Sequence, residues 1–197
     1  MGVKDKRPIA ASFIPHLEKK SLYPVHRLDL EVSGLLVFAK NATTQRILTD
    51  TFENRAVKKT YIALSDEKPI SPLNFNQQVT WKNLLVKGKK RVFEAPHGKS
   101  AITIAEPHKI ITWKDRNYIL WNLYPETGRP HQLRFHMSKA GFPIAGDIKY
   151  GYHQIFLSQS IALRAVALEF LDKNIVNRLD IPQGFRVTLR EDYWQHE

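Results

Sequence analysis

Cysteine is absent from this 197-residue chain. That excludes disulfides and thiol nucleophiles and removes the usual ligands of a structural zinc site. Long apolar runs are missing too: none approaches the ~18 residues needed to span a bilayer. The opening stretch MGVKDKRPIA lacks the apolar centre of a signal peptide. The expectation is an intracellular, cytoplasmic protein with no membrane partner. Acidic residues are scarce beside basic ones. Against 30 Lys+Arg stand 19 Asp+Glu, a formal net charge of +11. Such a chain favours a polyanionic partner, nucleic acid ahead of membrane. Hydrophobic residues still make up 43%, which suffices for a core and excludes wholesale disorder.

The length fits one domain, and no repeat or low-complexity segment stands out. Residues 1–21, polar and lysine-rich with Pro8 and Pro15, read as an irregular lead-in to a single domain over 22–197. Leu35 to Ala39 is a near-continuous apolar run, as in a strand covered on both faces. In NATTQRILTDTFENR, Asn41 or Thr43 can cap a helix whose Ile47, Leu48, Thr51 and Phe52 share one face. KKTYIAL returns to strand character, and residues 66–78, with Pro69 and Pro72, read as loop. Over 79–110 the alternation around VKGKKR predicts hairpins. RNYILWNLY, SIALRAVALEF and GFRVTLRE predict further strands, and PHQLRFHMSKAG a short helix ended by Gly141. The sum is a strand-rich α+β protein on an antiparallel or mixed sheet.

Three segments are too particular for a bland core. In HRLDLEVSGLLVFAK, His26 to Lys40, a polar half precedes an apolar half. Asp29 alone would read as a turn or capping carboxylate. Arg27 lies two residues earlier, however, and Ser33-Gly34 offers a bend that lets backbone approach something closely. A carboxylate there, kept ionised by an arginine, can act as nucleophile or base. Tyr61, in KTY, is a packing tyrosine by default, but an aromatic ring on a basic surface can stack on a nucleobase while its hydroxyl handles a proton. The third segment, Glu126 to Gly151, is dense in Gly, Arg and His. If it is helical, His131 and Arg134 share a face. His131 and His136 are five apart and do not align on one helical face, so a metal site is not expected. Arg129 and Arg134 suit phosphate and carboxylate groups.

The segments HRLDLEVSGLL, KTY, TGRPHQLRFH and GFPIAGDIKYG, in this order, resemble the RluA-type family of RNA pseudouridine synthases over about residues 24–170. The resemblance implies the pseudouridine synthase fold: a long mixed, mainly antiparallel sheet with flanking helices and a central active cleft. It implies isomerisation of uridine in rRNA or tRNA. Asp29 would match the essential aspartate, Tyr61 the tyrosine that stacks on the base, and Arg134 the basic residue that pairs with the aspartate. Arg27 would match the arginine that fills the gap left by a flipped base. No cofactor and no metal is implied, and a monomer is expected.

Departures from the family pattern are few. Val32 replaces a threonine, and Pro130, which suits the first position of a helix, replaces a small polar residue. Arg164 stands where the family often has histidine, adding charge near the expected cleft. The stretch before HRLD leaves no room for an S4-type RNA-binding domain, so substrate choice is expected to rest on the catalytic domain. Arg129, His131 and Arg164 are candidate RNA contacts together with the basic turn Lys87, Lys89, Lys90 and Arg91. A metal-free RNA nuclease using Asp29 with His131 or His136 as acid–base pair is the rival chemistry, and it would shorten its RNA.

Overall fold

The structure is a computed structural model that describes residues 22–67, 73–156 and 160–187. The described chain falls into two compact units, one of residues 22–27 and 36–56, the other of residues 28–35 and everything from Val57 onward. The expected lead-in, residues 1–21, lies outside the described residues.

In the first unit β1 (Tyr23–Pro24) pairs antiparallel with β3 (Phe38–Ala39), Tyr23 opposite Ala39. Helix α1 (Ala42–Glu53) follows at once. Asn41 is its N-cap, its side chain accepting the Thr44 amide at 2.8 Å, which satisfies one of the four free N–H groups of a helix start. Leu48 and Thr51 on the predicted face are buried. His26 accepts the Val37 amide on Nε2 at 3.1 Å and stacks on Phe52, 4.5 Å between ring centres.

The second unit is built on an eight-stranded sheet. Its members are β2 (Ser33–Gly34), β4 (Val57–Asp66), β5 (Val79–Lys87), β6 (Val92–Glu94), β7 (Lys99–Trp113), β8 (Arg116–Pro125), β9 (Leu163–Phe170) and β10 (Gly184–Arg186). The path runs β10-β9-β4-β8-β7-β5-β6, all antiparallel, and β2 joins β9 in parallel. The sheet is therefore mixed and mainly antiparallel. Along β7 the small residues Ala101, Thr103 and Ala105 are buried while Ile102 and Ile104 are half-buried, the period of two that a strand imposes. Small inward side chains leave room for helix α2 (Gln132–Lys139), whose Leu133 and Met137 join Trp121, Leu123, Leu64 and Ile144 in the core. Truncating a fully buried residue such as Met137 to Ala typically costs about 2–5 kcal/mol. The buried Trp121 indole donates to Ser65 Oγ at 2.9 Å.

Gly141, at φ 87°, ends α2. Its amide reaches Ser138 O and that of Phe142 reaches Met137 O at 2.9 Å, the paired bonds of a Schellman turn.

Several details depart from expectation. Leu35 to Ala39 is not one strand. Ser33–Gly34 pairs with β9 and Phe38–Ala39 with β1, and the residues between them carry no ladder. The polar half thus enters the large sheet. Apolar character alone could not reveal this, because the pairing is made by backbone. Pro130 is not the first helical residue: His131 is the N-cap and the helix begins at Gln132. Helix α3 (Lys173–Leu179) was not anticipated, although Asp172 caps it by accepting the Asn174 amide at 2.8 Å. Strand β4 extends through Asp66, into the expected loop. Of that loop, residues 68–72 lie outside the described residues, as does the chain beyond Val187. Among the described residues no helix is long and apolar enough to cross a membrane.

Candidate active site

Asp29 stands on a loop that is fastened along β9. The Val32 amide donates to Asp29 O at 3.0 Å, closing a turn. Next, Glu31 O accepts from Ile161, and the Leu35 amide donates to Ala165 O, both at 3.0 Å. Between them Ser33 and Gly34 pair with Arg164 and Ala165. Gly34 has φ 119°, and a Cβ there would lie 2.2 Å from Ala165 O. Only glycine fits, in conformation and in space. The bend read from the sequence is thus an approach of backbone to backbone.

Tyr61 stands on the other flank of the same residue. It pairs with Ala165 on one side and with Leu123 on the other, and the β4–β9 register slips between Thr60 and Tyr61. Such irregularities re-aim side chains and are frequent at active sites. Burial, helped by the Asp29 charge, pushes the Tyr61 hydroxyl up to about 12. It is a neutral phenol at neutral pH.

Arg134 comes from α2 and is 2% exposed. Its guanidinium meets three carboxylates. Nε donates to Asp147 Oδ2 at 2.7 Å and Nη2 to Asp147 Oδ1 at 2.8 Å. Nη1 donates to Glu31 Oε2 at 2.9 Å and lies 3.9 Å from Asp29 Oδ2. Its Cζ stands 5.3 Å from the centre of the Tyr150 ring, within cation–π range. Burial alone would lower the pKa of Arg134, but its bonds to Asp147 and the charges of Glu31 and Asp29 carry it above the ordinary value. Burial likewise raises Glu31, yet Arg134, a backbone bond and Lys149, whose Nζ is 3.4 Å away, leave it below its ordinary value and ionised.

His131 closes the site from the N-cap of α2. Its Nε2 lies 4.0 Å from Asp29 Oδ1 and its Nδ1 lies 2.9 Å from the Tyr150 hydroxyl. The two Asp29 oxygens therefore each face a separate nitrogen at about the same reach, 4.0 Å on one side and 3.9 Å on the other. Among the described residues Asp29 has no closer ion pair. It is the one carboxylate of the three that Arg134 does not grip.

The structure thus brings together Asp29, Tyr61, Arg134 and His131. Arg27 is exposed and belongs to the first unit. Arg164 pairs with Ile62 and Ser33, and strand alternation sends it to the face opposite Tyr61. Arg129 donates from Nε to Ser100 O at 2.9 Å. Lys87, Lys89, Lys90 and Arg91 are exposed on the turn between β5 and β6, closed by the Gly88 amide on Arg91 O at 3.0 Å. Glu31, Asp147, Tyr150 and Gln132 escaped the sequence reading. The buried Gln132 amide ties the Thr127–Arg129 loop to β7: its Oε1 accepts from Thr127 Oγ1 and the Arg129 amide, while its Nε2 donates to Ile102 O and Thr103 Oγ1. Asp147 and Tyr150 lie within GFPIAGDIKYG, the segment already singled out. A buried Asp thirteen residues after a motif arginine has no local spacing signal.

A family model described as RNA pseudouridylate synthase matches residues 3–139. A ribosomal large subunit pseudouridine synthase C of Rickettsia felis is 40% identical over 131 residues, 66% of this chain and 42% of that protein. An uncharacterised RNA pseudouridine synthase of Zymomonas mobilis is 34% identical over 165 residues, 82% of this chain and 74% of that protein. The chain spans about half the length of the Rickettsia relatives it matches. Among solved structures, human RNA pseudouridylate synthase domain containing 1 superposes with a TM-score of 0.67 at 23% identity, covering 78% of this chain and 66% of that one. Human RNA pseudouridylate synthase domain containing 4 gives 0.66 at 21%, covering 94% and 78%. These last two likenesses show a shared fold.

Proposed function

The chain belongs to the RNA pseudouridylate synthase family, and from that premise we propose that it converts uridine in structured RNA to pseudouridine, with Asp29 as the essential carboxylate. Ribosomal RNA is the substrate we favour, in keeping with relatives named for the large ribosomal subunit; transfer RNA suits the +11 charge equally. The observation that carries the reading is the Asp29 carboxylate itself. It is held on a loop fastened to β9, faced on one oxygen by the His131 ring before α2 and on the other by Arg134 within it, and close enough to Tyr61 for its charge to raise the phenol.

The chemistry needs little else. The N1–C1′ bond breaks, the uracil turns, and C5 bonds to C1′. C5 gives up its proton and N1 gains one, so composition and mass are unchanged. Asp29 acts on the sugar, as nucleophile at C1′ or as base toward a sugar proton. Arg134 sets a positive charge beside that carboxylate, Nη1 3.9 Å from Oδ2. Tyr61 stacks on the ring and, being neutral, takes the C5 proton only as its own proton departs. A stacked uridine must first leave its helix, at about a few kcal/mol, and Arg27 is the side chain we assign to the vacated place. Lys87, Lys89, Lys90, Arg91 and Arg129 are assigned to the RNA backbone, and Arg164, on the other face of the sheet, is not. Protein and RNA suffice, as a cytoplasmic monomer.

The test is pseudouridine mapping of ribosomal RNA transcripts after incubation with the protein and with Asp29→Ala. The expected result is new pseudouridine at defined sites, with RNA length unchanged, from the wild type alone. Shortened RNA would show a nuclease, and equal modification by Asp29→Ala would sink the assignment.

A further inference from the structure

His131 has φ 50°, in the left-handed region. Only a few per cent of non-glycine residues go there, Asn, Asp and His more often than the rest, and strained backbone of this kind clusters at active sites and ligand clamps. The side chain does not cap its own helix. It spans instead from Asp29 to Tyr150.

The Tyr150 hydroxyl already has a donor: it accepts the Val92 amide at 2.9 Å. A phenol has one proton to give. Val92 is itself a donor and cannot take it, and among the described residues the acceptor within reach for that proton is His131 Nδ1, 2.9 Å away. A neutral imidazole carries one N–H, so an Nδ1 that accepts leaves the hydrogen on Nε2. Nε2 is the atom that faces Asp29 Oδ1. We propose that the relay from Val92 N–H through Tyr150 OH to His131 Nδ1 fixes His131 as its Nε2–H tautomer, making it a positioning residue that aims the Asp29 carboxylate.

The surroundings agree. Burial lowers the His131 pKa first, and Arg134 and Lys149 push the same way against Asp29 and Glu31, leaving it below its ordinary value. A neutral ring turns an N–H toward Asp29 without cancelling its charge, which an imidazolium would do. Burial raises Tyr150, outweighing the Val92 amide and Arg134, so the hydroxyl keeps the proton it must donate. The 4.0 Å gap is long for a hydrogen bond, as catalytic contacts often are before substrate closes on them. The relay starts at Val92, the first residue of β6 after the basic turn, so the hairpin proposed to hold RNA phosphates also supplies the amide that orients the histidine.

Two experiments decide it. The first reads the tautomer directly, by long-range proton–nitrogen NMR of the imidazoles in the RNA-free protein at neutral pH. His131 should show a pyridine-like Nδ1 and a protonated Nε2, and Tyr150→Phe, which keeps the ring over Arg134, should mix the two tautomers. A protonated Nδ1, or an imidazolium, in the wild type overturns the proposal. The second compares His131→Gln with His131→Asn in single-turnover pseudouridine formation, and this arm rests on the isomerase reading. The Gln amide nitrogen reaches the place of Nε2, whereas that of Asn reaches only the place of Nδ1. Asn nonetheless suits the left-handed backbone better. The expected result is Gln within ~10-fold of wild type and Asn ~100-fold or more below it, the typical loss for one aimed donor. Asn equal to or faster than Gln would show that His131 is kept for its backbone, and would overturn the proposal. A wild type that makes no pseudouridine defeats the isomerase reading instead, and the spectrum still judges the tautomer.

Discussion

Arg134 closes a two-pronged bond on Asp147, Nε to Oδ2 at 2.7 Å and Nη2 to Oδ1 at 2.8 Å, and reaches Asp29 only at 3.9 Å. The arginine is therefore anchored by a buried carboxylate and presents one remaining edge, Nη1, to Glu31 and Asp29. Asp147→Asn keeps the shape and removes the charge. Breaking one partner of a buried pair costs about 3–5 kcal/mol, and Glu31 offsets part of this by holding Nη1. The expected loss is about 3 kcal/mol in urea unfolding, together with loss of turnover as Arg134 is released. A loss below about 1 kcal/mol would show that Glu31 alone suffices.

Tyr61→Phe keeps the ring and deletes the hydroxyl. RNA affinity should stay near wild type while turnover falls by about 10²–10⁴, the range for one positioned proton-transfer group. Stability supplies a second reading. The folded phenol ionises at about 12 and an unfolded one near 10. Between those values the unfolded chain holds fewer protons, so stability falls as pH rises, by about 1.4 kcal/mol per pH unit. Below pH 10 the contribution is intact. The Phe variant should lack this share of the alkaline decline, and equal slopes from pH 10 to 12 would place Tyr61 in a wetter setting.

Gly34→Ala tests the seating of the Asp29 loop. The added methyl would meet Ala165 O at 2.2 Å, at φ 119°, so the loop must lift from β9. The expected loss is about 2 kcal/mol or more, seen as a lower midpoint of thermal unfolding, with turnover falling further than stability because Asp29 moves with the loop. An unchanged midpoint would mean that the loop has another way to sit.

Changing Lys87, Lys89, Lys90 and Arg91 together to Ser tests the basic turn. Every phosphate that the protein ceases to neutralise flattens the plot of log affinity against log salt by about 0.7 for single-stranded RNA. Four side chains at that rate allow a fall in slope of up to about 3, with the single-turnover rate at saturating RNA nearly unchanged. A slope equal to that of wild type would return the turn to a solubilising surface.

Strand periodicity and cap residues were legible in the sequence. The alternation along β7, Asn41 before α1 and Gly141 after α2 are local codes, read within a few residues. Asp29, Tyr61 and Arg134 were legible because they stand in ordered motifs. Asp147 and Glu31 were not, because what marks them is convergence on one guanidinium from distant parts of the chain. His131 was read as an RNA contact, since nothing in its spacing says that the backbone at that point is left-handed or that the ring meets Asp29. The strand expected at Leu35 to Ala39 failed for a related reason. Its ladders are made by neighbours chosen through tertiary placement, which apolar character does not encode.

The parallel pairing of Gly34 with Ala165 joins residues about 130 apart in sequence. Two residues of ladder cannot hold a loop by themselves, so the Asp29 turn takes its shape only from a β9 already in place. A chain emerging from the ribosome therefore carries its carboxylate early and its template late. Until residue 165 is out and β9 has joined β4, Asp29 has no seat and Tyr61 has no neighbour on that side. A chain that stops short of β9 would therefore leave the Asp29 turn without the strand that shapes it.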